Sequence, residues 1–588
     1  MGQTQHEVEN ALLEDIDLTT AEAILNRFSS LVRESGSDDE LIAANYLESL
    51  LHQWEISYRV HKSNIYLSVP KEARLKVLHP TEYEIKAKTP SASFSTNEDW
   101  VKGELIYLPA ELNLDDKYDP LAHTTLDHVQ GKIVLMDGYP VSGKVKELGN
   151  AGALGVIFIS PGDYIHEGTC SAIWGSPDLD SMHFDPILPV LAVSHPDGEH
   201  LKKLSTNESV QLSLQTVLDE GWFDCPLIDI FIEGTEEPEK YVLLHGHLDS
   251  WHVGIGDNGT GIAALMEMAR IFQKHRHLLK RSIRIAIWPG HSTGRYAGST
   301  WFADQFGLDL MENCVAQVNC DSPGCRWATS YEHMTWMSEA ELFCQEAIHT
   351  AVGQASQGTR PGRAGDYSFN NIGITSFFML SSTIPDDHVH ELNYYAVGGC
   401  GGNIEWHTED DLMYVADYEV LHKDIRIYLT AIIRALNKPI LPFNYVKTAE
   451  EFFQSLTTYQ QQAGAHYSLA DLIEEVAELR DSLTQFYKQI EPLRLESLSH
   501  PSVQKANQCM IELSRLLIRM NYSRQGVFYH DPALDIPALP DLAPVVELAE
   551  LEEDSHRYYV TKNHVKRGAN RLSLVLKQAN QLVQSTLS

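Results

Sequence analysis

The spacing of apolar residues divides the first part of the chain into two textures. Residues from about 14 to 60 carry apolar side chains three and four positions apart, which predicts helices, and residues 57–69 alternate like a strand. From about 60 to 228, short apolar runs separated by turn residues predict many short strands. Within this part, residues 131–160 have the pattern of a strand, a turn, a helix and a second buried strand.

From about residue 229 strands and helices alternate. The apolar runs 241–245, 281–288 and 314–321 predict strands, and residues 260–274 predict a helix with one apolar face. Alternation of this kind is typical of an α/β sheet with parallel strands. Ligands of such sheets bind at the carboxyl ends of the strands, so the residues that follow these runs are the first to inspect.

From about residue 440 the pattern is mostly helical. The helix predicted over 468–490 carries one apolar stripe, which we interpret as core or as the seam of a dimer rather than as a cofactor site. Its members are Leu469, Leu472, Ile473, Val476, Leu479, Leu483 and Phe486.

Composition narrows the class of protein. The chain has 588 residues, which suggests two to four domains, and its 43% hydrophobic and 21% charged residues are typical of folded proteins. A net charge of −36 disfavours binding to nucleic acid or to an anionic membrane. The eight cysteines form no C-x-x-C pair, and the sequence carries no secretory signal and no apolar run long enough to span a membrane. We therefore expect a cytoplasmic protein with reduced thiols.

Side chains of the types that can bind zinc follow several of the predicted strands or come later in the chain. They are His247, Asp257, His291, Asp321 and His407. Imidazoles and carboxylates that follow separate strands can converge on one crevice, and zinc accepts both kinds of donor. Asp249 lies two residues after His247 and is expected to orient its imidazole. Asp257 has two carboxylate oxygens and can bridge two metal ions.

The segments around these residues resemble family M28 of the metallopeptidases, in the branch of glutamate carboxypeptidase and the transferrin receptor. HLDSWHVGIGDNGTG is similar to the first metal segment of the family, NCDSPG to its later Asp segment and WHTEDD to its final His segment. RAGDYSFNNIGITS is similar to the substrate-side loop, and the segments GKIVLMDG and AGALGVIFI resemble a protease-associated (PA) domain.

The resemblance implies a fold, a domain layout and a metal site. The fold is an α/β catalytic domain, with a mixed and mostly parallel sheet flanked by helices, an inserted β-rich PA domain and a C-terminal helical domain. The implied units are 1–60 (first part of the catalytic domain), 61–228 (PA-like), 229–440 (catalytic) and 441–588 (helical, dimerisation-like). In the family, residues matching His247, Asp257 and Asp321 bind one zinc, and those matching Asp257 and His407 bind a second together with a Glu.

The sequence departs from the family at one loop. The family carries a Glu-Glu pair after the strand that ends here at Trp288; its first Glu is the general base and its second a zinc ligand. This chain has His291-Ser292 in that place, and no acid between Arg284 and Asp304. Three interpretations stay open. His291 is a metal ligand or base; or one metal site fills and the base comes from elsewhere, such as Glu405 or Glu409; or the protein is inactive.

Candidates for substrate binding are Arg295, Tyr296, Arg363, Asp366 and Tyr367, with Arg360 as a further cation. Arg binds carboxylates well through two parallel hydrogen bonds. His388 and His390 are expected to be surface or substrate-side residues and His252 to lie behind the metal site or outside it.

The leading hypothesis is a metal-dependent hydrolase, with His291 and Asp249 as its catalytic residues, that cuts a peptide or another amide. It would bind zinc, two ions per chain if His291 is a ligand and otherwise one, with iron and manganese as alternatives. A catalytically inactive binding or scaffold protein on the same fold is the alternative. A homodimer is expected in both cases.

Overall fold

The central feature of the structure is one mixed β-sheet that runs through two parts of the chain. The structure is a computed structural model that describes residues 4–109, 126–184, 187–362, 365–378 and 382–587. Among the described residues the sheet has ten strands: β1 (Tyr58–His79), β2 (Tyr83–Ile85), β3 (Val101–Tyr107), β4 (Lys132–Asp137), β5 (Gly155–Ile159), β6 (Val190–Val193), β7 (Gln211–Ile232), β8 (Glu237–His247), β9 (Arg281–Trp288) and β10 (Cys314–Asn319). A short pair, β11 (Met334–Thr335) and β12 (Gly358–Thr359), lies apart from it.

The two long strands β1 and β7 join the two halves of the sheet. They pair antiparallel along almost their whole length. On its other edge β7 pairs with β9 through Ile228–Ile232 and with β3 through Gln211–Leu214. The predicted domain boundaries at 60–61 and 228–229 fall inside these strands, which run from one unit into the other.

On either side of β7 the sheet is parallel. The order β10-β8-β9 forms one half, and β3-β4-β5-β6 forms the other. All eight residues of β9 are buried, as expected for a parallel strand covered by helices on both faces. The strands predicted at 241–245, 281–288 and 314–321 are therefore confirmed.

Helices cover the sheet and form the C-terminal part. They are α1 (Gln5–Leu13), α2 (Thr19–Phe28), α3 (Asp38–Gln53), α4 (Ser142–Asn150), α5 (His195–Asn207), α6 (Thr260–Lys274), α7 (Ala297–Asn313), α8 (Glu341–Val352), α9 (Asp386–Leu392), α10 (Tyr418–Asn437), α11 (Tyr445–Ala463), α12 (Ala470–Ile490), α13 (Pro501–Tyr522) and α14 (His556–Leu587). Twelve of the fifteen residues of α6 are buried, because this helix packs between the sheet and α2. The helix predicted over 260–274 is confirmed.

The apolar stripe of α12 lies inside the chain. Its residues Leu472, Val476, Leu479, Leu483 and Phe486 are buried against α11 and α14. They belong to a hydrophobic core that continues without a break into the β8–β10 half of the sheet. Of the two interpretations of this stripe, core and dimer seam, the structure supports the core.

The remaining general expectations concern thiols and membranes. All eight cysteines are buried and none is in a disulfide. Within the described ranges, no helix has both the length and the apolar composition required to cross a bilayer.

Candidate metal centre

Three of the predicted metal donors meet just beyond the ends of β8 and β10. His247 Nε2 lies 3.1 Å from Asp257 Oδ1 and 3.7 Å from Asp321 Oδ2. His247 is fully buried, and neither its Nε2 nor Asp257 Oδ1 makes a well-aligned hydrogen bond within the described residues, although the two atoms are close. A buried imidazole nitrogen and a buried carboxylate oxygen without partners are costly unless something else binds them.

The loop that carries Asp257 is fixed by two buried side chains. Asp411 accepts hydrogen bonds from the backbone N–H groups of Gly256 (2.7 Å) and Asp257 (2.9 Å). Asn258 donates to the carbonyl of Cys320 and accepts from the N–H of Ser322, so it ties this loop to the one that carries Asp321. These contacts set the separation of the two carboxylates.

Arg33 holds the same loop in place through three hydrogen bonds. Its guanidinium is fully buried and donates to the carbonyl oxygens of Leu248 (3.0 Å), Val253 (2.6 Å) and Gly254 (2.8 Å). Three donors in the fixed fork of one guanidinium hold three carbonyls in one geometry. The N-terminal segment of the chain therefore shapes the metal loop, a role that the sequence pattern did not indicate.

His291 stands on a loop that Asp249 holds in place. The two carboxylate oxygens of Asp249 accept the backbone N–H groups of His291 (3.1 Å) and Ser292 (2.9 Å). The expected contact between Asp249 and His247 is made by the backbone instead, since His247 Nδ1 lies 2.8 Å from the Asp249 carbonyl and 3.8 Å from its carboxylate. Asp249 is fully buried and orients the loop of His291.

His291 is paired with a second buried carboxylate. Its Nδ1 lies 2.8 Å from Oδ2 of Asp366, whose other oxygen has no partner in the described part of the chain. Burial disfavours the charged form of Asp366, but the neighbouring imidazole outweighs burial and lowers the pKa of Asp366 to about 2. Burial and the nearby His247 oppose protonation of His291, yet Asp366 holds its pKa above the usual value.

The rings of His247 and His291 are stacked face to face. Their centroids are 3.7 Å apart and their planes differ by 8°. The lone pair of an imidazole nitrogen lies in the plane of its ring, and a zinc ion lies about 2.0–2.1 Å from that nitrogen. One ion cannot lie close to both planes when the planes are parallel and so far apart. This geometry disfavours His291 as a ligand of the ion that His247 would bind, although the donor atoms of His247, His291 and Asp321 all lie within 4.8 Å of one another.

His407 approaches the other oxygen of Asp257. Its Nε2 lies 2.9 Å from Asp257 Oδ2, and its Nδ1 faces the carbonyl of Glu167 at 3.0 Å. The backbone N–H of Glu167 in turn donates to the carbonyl of His407 (2.8 Å). Glu167 lies between β5 and β6, so the part of the chain predicted as PA-like fixes this imidazole.

A cavity of about 360 Å³ opens over these groups. Among the predicted residues it is lined by Asp257, His291, Arg295, Tyr296, Asp321 and His407. Glu167, which the sequence pattern did not single out, lines it too, and its carboxylate contacts Lys88 and His252. The sequence offered no signal for Glu167 because it follows no apolar strand.

The other predicted substrate residues lie elsewhere. Tyr367 is fully buried among aromatic side chains and does not line the cavity, and Asp366 faces His291. Arg363 lies outside the described residues. Arg360 binds Glu451 and the carbonyl of Asn521 near the C-terminal helices.

The further candidates for a base or an extra ligand are engaged away from the cavity. Glu405 lies 3.3 Å from Arg326, and Glu409 lies 2.8 Å from Lys88; neither lines the cavity. His388 contacts Trp327 and Glu391, and, like His390, it lies on α9 outside the cavity. His291 is thus the base candidate that the geometry places over the metal donors.

The backbone of the site is strained. Arg295, Tyr296, Ser322 and His407 have positive φ values of 46°, 70°, 52° and 55°. A non-glycine residue in this region costs about 1–3 kcal/mol and persists only where the surroundings impose it. Strain of this kind clusters at sites where side-chain placement matters more than stability.

The sheet therefore carries a candidate metal centre just past the ends of its strands. Residues 230–432 match the sequence profile of Peptidase family M28, and residues 101–201 match that of the PA domain. The chain thus carries a segment similar to an M28 peptidase domain, preceded by a segment similar to a PA domain. The resemblance to the branch of glutamate carboxypeptidase and the transferrin receptor is confirmed.

Curated relatives match over parts of the chain. Transferrin receptor protein 1 of Gallus gallus is 23% identical over 335 residues, which cover 49% of this chain and 41% of the receptor. Aminopeptidase NAALADL1 of Mus musculus is 31% identical over 144 residues, 24% of this chain and 18% of that protein. The chain thus spans less than half of the length of these relatives.

Solved structures share the fold. The peptidase M28 precursor from Shewanella amazonensis superposes with a TM-score of 0.56 at 18% identity, covering 74% of this chain and 97% of that one. The aminopeptidase from Aneurinibacillus sp. strain AM-1 gives a TM-score of 0.54 at 18% identity, with coverages of 73% and 96%. The predicted fold class, a mixed and mostly parallel sheet flanked by helices with a PA domain and C-terminal helices, is confirmed.

Proposed function

We propose that the protein is a one-metal hydrolase of peptide or related amide bonds, in which His291 and Asp366 replace the carboxylate base of the family. The observation that carries this proposal is the pairing of His291 Nδ1 with the buried Asp366 carboxylate at 2.8 Å, directly beside the metal donors. An imidazole held by a carboxylate is an effective proton acceptor near neutral pH.

The separation of His247 Nε2 from each of the two carboxylates suits a shared zinc ion. Tetrahedral ligands about 2.1 Å from an ion lie about 3.4 Å from one another, and His247 Nε2 lies 3.1 and 3.7 Å from the carboxylate oxygens of Asp257 and Asp321. Three protein ligands that leave a fourth position open are typical of hydrolytic zinc sites. Iron and manganese accept the same nitrogen and oxygen donors and remain alternatives.

A second ion has weaker support. Asp257 Oδ2 and His407 Nε2 provide two donors 2.9 Å apart, but Ser292 stands where the family has a second carboxylate ligand. We therefore propose one ion per chain.

In the proposed mechanism, an ion held by His247, Asp257 and Asp321 would supply Lewis-acid chemistry toward the substrate carbonyl and a water molecule. Since Asp366 occupies Nδ1 of His291, Nε2 is left to accept a proton from the attacking water and to return it to the leaving amine. Asp366 holds the ring in this tautomer and stabilises the imidazolium. Asp249 keeps His291 over the site through two backbone hydrogen bonds. Arg295 and Tyr296 would contact the substrate.

Elemental analysis combined with turnover tests this proposal. We expect close to one transition metal per chain in the wild type and in His291→Ala, loss of that metal in His247→Ala, and loss of peptide turnover in both variants. His388→Ala, which removes a partly exposed histidine outside the cavity, should keep both metal and turnover. Loss of metal in His291→Ala would make His291 a ligand. A metal-free wild type that is inert on aminoacyl and C-terminal peptide substrates would support the alternative of an inactive binding protein.

A peptide or small amide substrate, a homodimer and a cytoplasmic location complete the proposal. The likeness to the transferrin receptor supports the dimer. Because the stripe of α12 is buried within one chain, the dimer would use another surface. Sedimentation analysis of the full chain would give its oligomeric state.

A further inference from the structure

A second cavity adjoins the one over the metal donors. It has a volume of about 630 Å³, against about 360 Å³ for the first. It lies between the middle of β1, the middle of β7, the segment 169–177 and the loop 293–295. Thr169 and Arg295 line both cavities, so the two cavities adjoin at these residues, which we call the junction.

The junction carries polar atoms that lack partners. Thr293 lines the second cavity and is 2% exposed, and its Oγ1 has no hydrogen-bond partner among the described residues. The same holds for Nε of Arg295. Buried donors and acceptors are nearly always satisfied, so these two atoms leave room for a polar partner at the junction. A peptide backbone offers both the carbonyl and the N–H that such groups need.

The lining beyond the junction is polar and acidic. Hydroxyl and amide groups come from Ser68, Ser95, Asn97 and Ser171. Asp219 and Glu220 line the same cavity, and Glu220 accepts a hydrogen bond from Ser68 at 2.8 Å. Within the described lining, Arg295 at the junction is the only cationic side chain. The far part of the cavity is therefore electronegative.

Aromatic rings border the second cavity. Tyr66 and Phe94 line it, and Trp222 packs edge-on against Tyr66 with the ring centroids 5.8 Å apart. Phe94 and Trp222 are 47% and 55% exposed. Exposed aromatic rings beside carboxylates bind cationic side chains through both charge and the face of the ring.

We infer that the second cavity binds the part of the substrate beyond the scissile bond, and that it favours an oligopeptide with a basic side chain there. This inference rests on the proposed function. A volume of 630 Å³ lies within the range of about 300–1,000 Å³ that is typical of ligand sites. An enzyme that bound only a chain end at Arg295 would leave this cavity unused; the substrate instead continues past Arg295 into it.

Peptide length and charge test the inference. The probes are the dipeptide Ala-Ala and two hexapeptides, Ala-Ala-Lys-Ala-Lys-Ala and Ala-Ala-Glu-Ala-Glu-Ala. For the wild type we expect kcat/KM for the basic hexapeptide to exceed that for the acidic one by about tenfold, the factor that a modest charge pair provides. Asp219→Lys should reverse this preference, whereas Glu474→Lys, the same charge change on the exposed face of α12, should keep it.

A space-filling variant tests the role of the second cavity without changing the first. Ser95 lines the second cavity and not the first, and its backbone has no positive φ. Ser95→Trp should lower kcat/KM for the basic hexapeptide at least tenfold relative to that for Ala-Ala, mainly through KM. Equal hydrolysis of both hexapeptides by the wild type, unaffected by Asp219→Lys and Ser95→Trp, would overturn the inference while the proposed function stands.

A binding measurement distinguishes failure of this inference from failure of the proposed function. The affinity of the wild type for the basic hexapeptide is measured by calorimetry in the presence of a chelator, and circular dichroism confirms that each variant is folded. If the wild type hydrolyses none of the probes but binds the basic hexapeptide and loses that binding in Asp219→Lys and Ser95→Trp, then the proposed function fails and the second cavity is still a basic-peptide site. If the wild type neither binds nor hydrolyses the basic hexapeptide, both the proposed function and the inference fail.

Discussion

His291 Nδ1 lies 2.8 Å from Asp366 Oδ2, and the two residues are 75 positions apart in the sequence. Asp366 is fully buried, so its carboxylate acts through the imidazole that it contacts and not on the substrate directly. The pair combines a proton acceptor with a group that fixes its tautomer, which is the arrangement of other acyl-transfer sites. It lies beside metal donors where the family carries glutamates, and its contribution can be measured.

Asp366→Asn should remove the charge while keeping the shape of the side chain. We expect kcat for peptide hydrolysis to fall by about 10²–10⁴, because the imidazolium loses its stabilising partner and the preferred tautomer changes. KM and metal content should change little, since Asp366 contacts neither the cavity nor the metal donors directly. Steady-state kinetics and elemental analysis measure these quantities.

A surface pair provides the control for Asp366→Asn. His530 Nε2 and Asp304 Oδ1 lie 3.1 Å apart, and Asp304 is 54% exposed. Asp304→Asn should leave kcat unchanged. A similar loss in both variants would mean that Asp366 acts on folding and not on proton transfer.

Arg33→Lys should loosen the metal loop. A single ammonium cannot satisfy the three carbonyls of Leu248, Val253 and Gly254 in the geometry of a guanidinium, and each buried carbonyl left without a partner costs about 1–3 kcal/mol. We expect a lower melting temperature and a metal affinity about 10–100-fold weaker, as for other residues that orient metal ligands. Competition with a chromophoric chelator measures the affinity. Arg27→Lys, on the exposed face of α2, should affect neither property.

The residues that the sequence identified and those that it missed differ in a physical way. His247, Asp257 and Asp321 could be predicted because each follows an apolar strand or begins a helix, and parallel strands bring their ends together. Arg33, Asp411 and Glu167 have no such signal. They act by fixing loops whose backbone geometry is set by tertiary contacts. The pattern of a single sequence does not reveal which charged residues become buried.

The His291 loop shows the same limit at closer range. The sequence placed His291 near the metal donors but left it open whether the imidazole is a ligand or a base. The distinction depends on the angle between two rings, 8° in the structure, and on Asp366 from a distant loop. The fold class, in contrast, followed from the alternation of strands and helices and from the resemblance to family M28.

Ser292→Glu should create a second metal site. Asp257 Oδ2 and His407 Nε2 already provide two donors 2.9 Å apart, and Ser292 lines the same cavity. A carboxylate added at this position completes three donors, so we expect the metal content to rise from about one ion per chain to about two. Elemental analysis after equilibration with zinc measures the change. Thr293→Glu adds the same charge one residue further along and should keep the content at about one. Two ions in the wild type would contradict the prediction.

Glu339 makes the stability of the protein depend on pH. This carboxyl group is buried between α11 and the loop that carries Thr375, where it accepts hydrogen bonds from Thr375 (2.9 Å) and Thr448 (3.0 Å). Burial raises its pKa from the ordinary value of 4.5 to about 7. Between these two values the folded state holds the proton more tightly than the unfolded state, so stability falls as pH rises from 4.5 to 7 and then levels off.

Glu339→Gln should remove that dependence. The amide stays neutral, keeps an acceptor for one threonine and donates to the hydroxyl of the other. The difference between a pKa of about 7 and the ordinary 4.5 corresponds to about 3 kcal/mol at most. We expect the melting temperature of the variant to exceed that of the wild type by several degrees at pH 8, and the two to converge at pH 4.5 and below. Differential scanning calorimetry over this range measures the effect, and Glu341→Gln, at a partly exposed position two residues away, should follow the wild type. A constant difference between Glu339→Gln and the wild type across the range would show that Glu339 stays neutral or paired throughout.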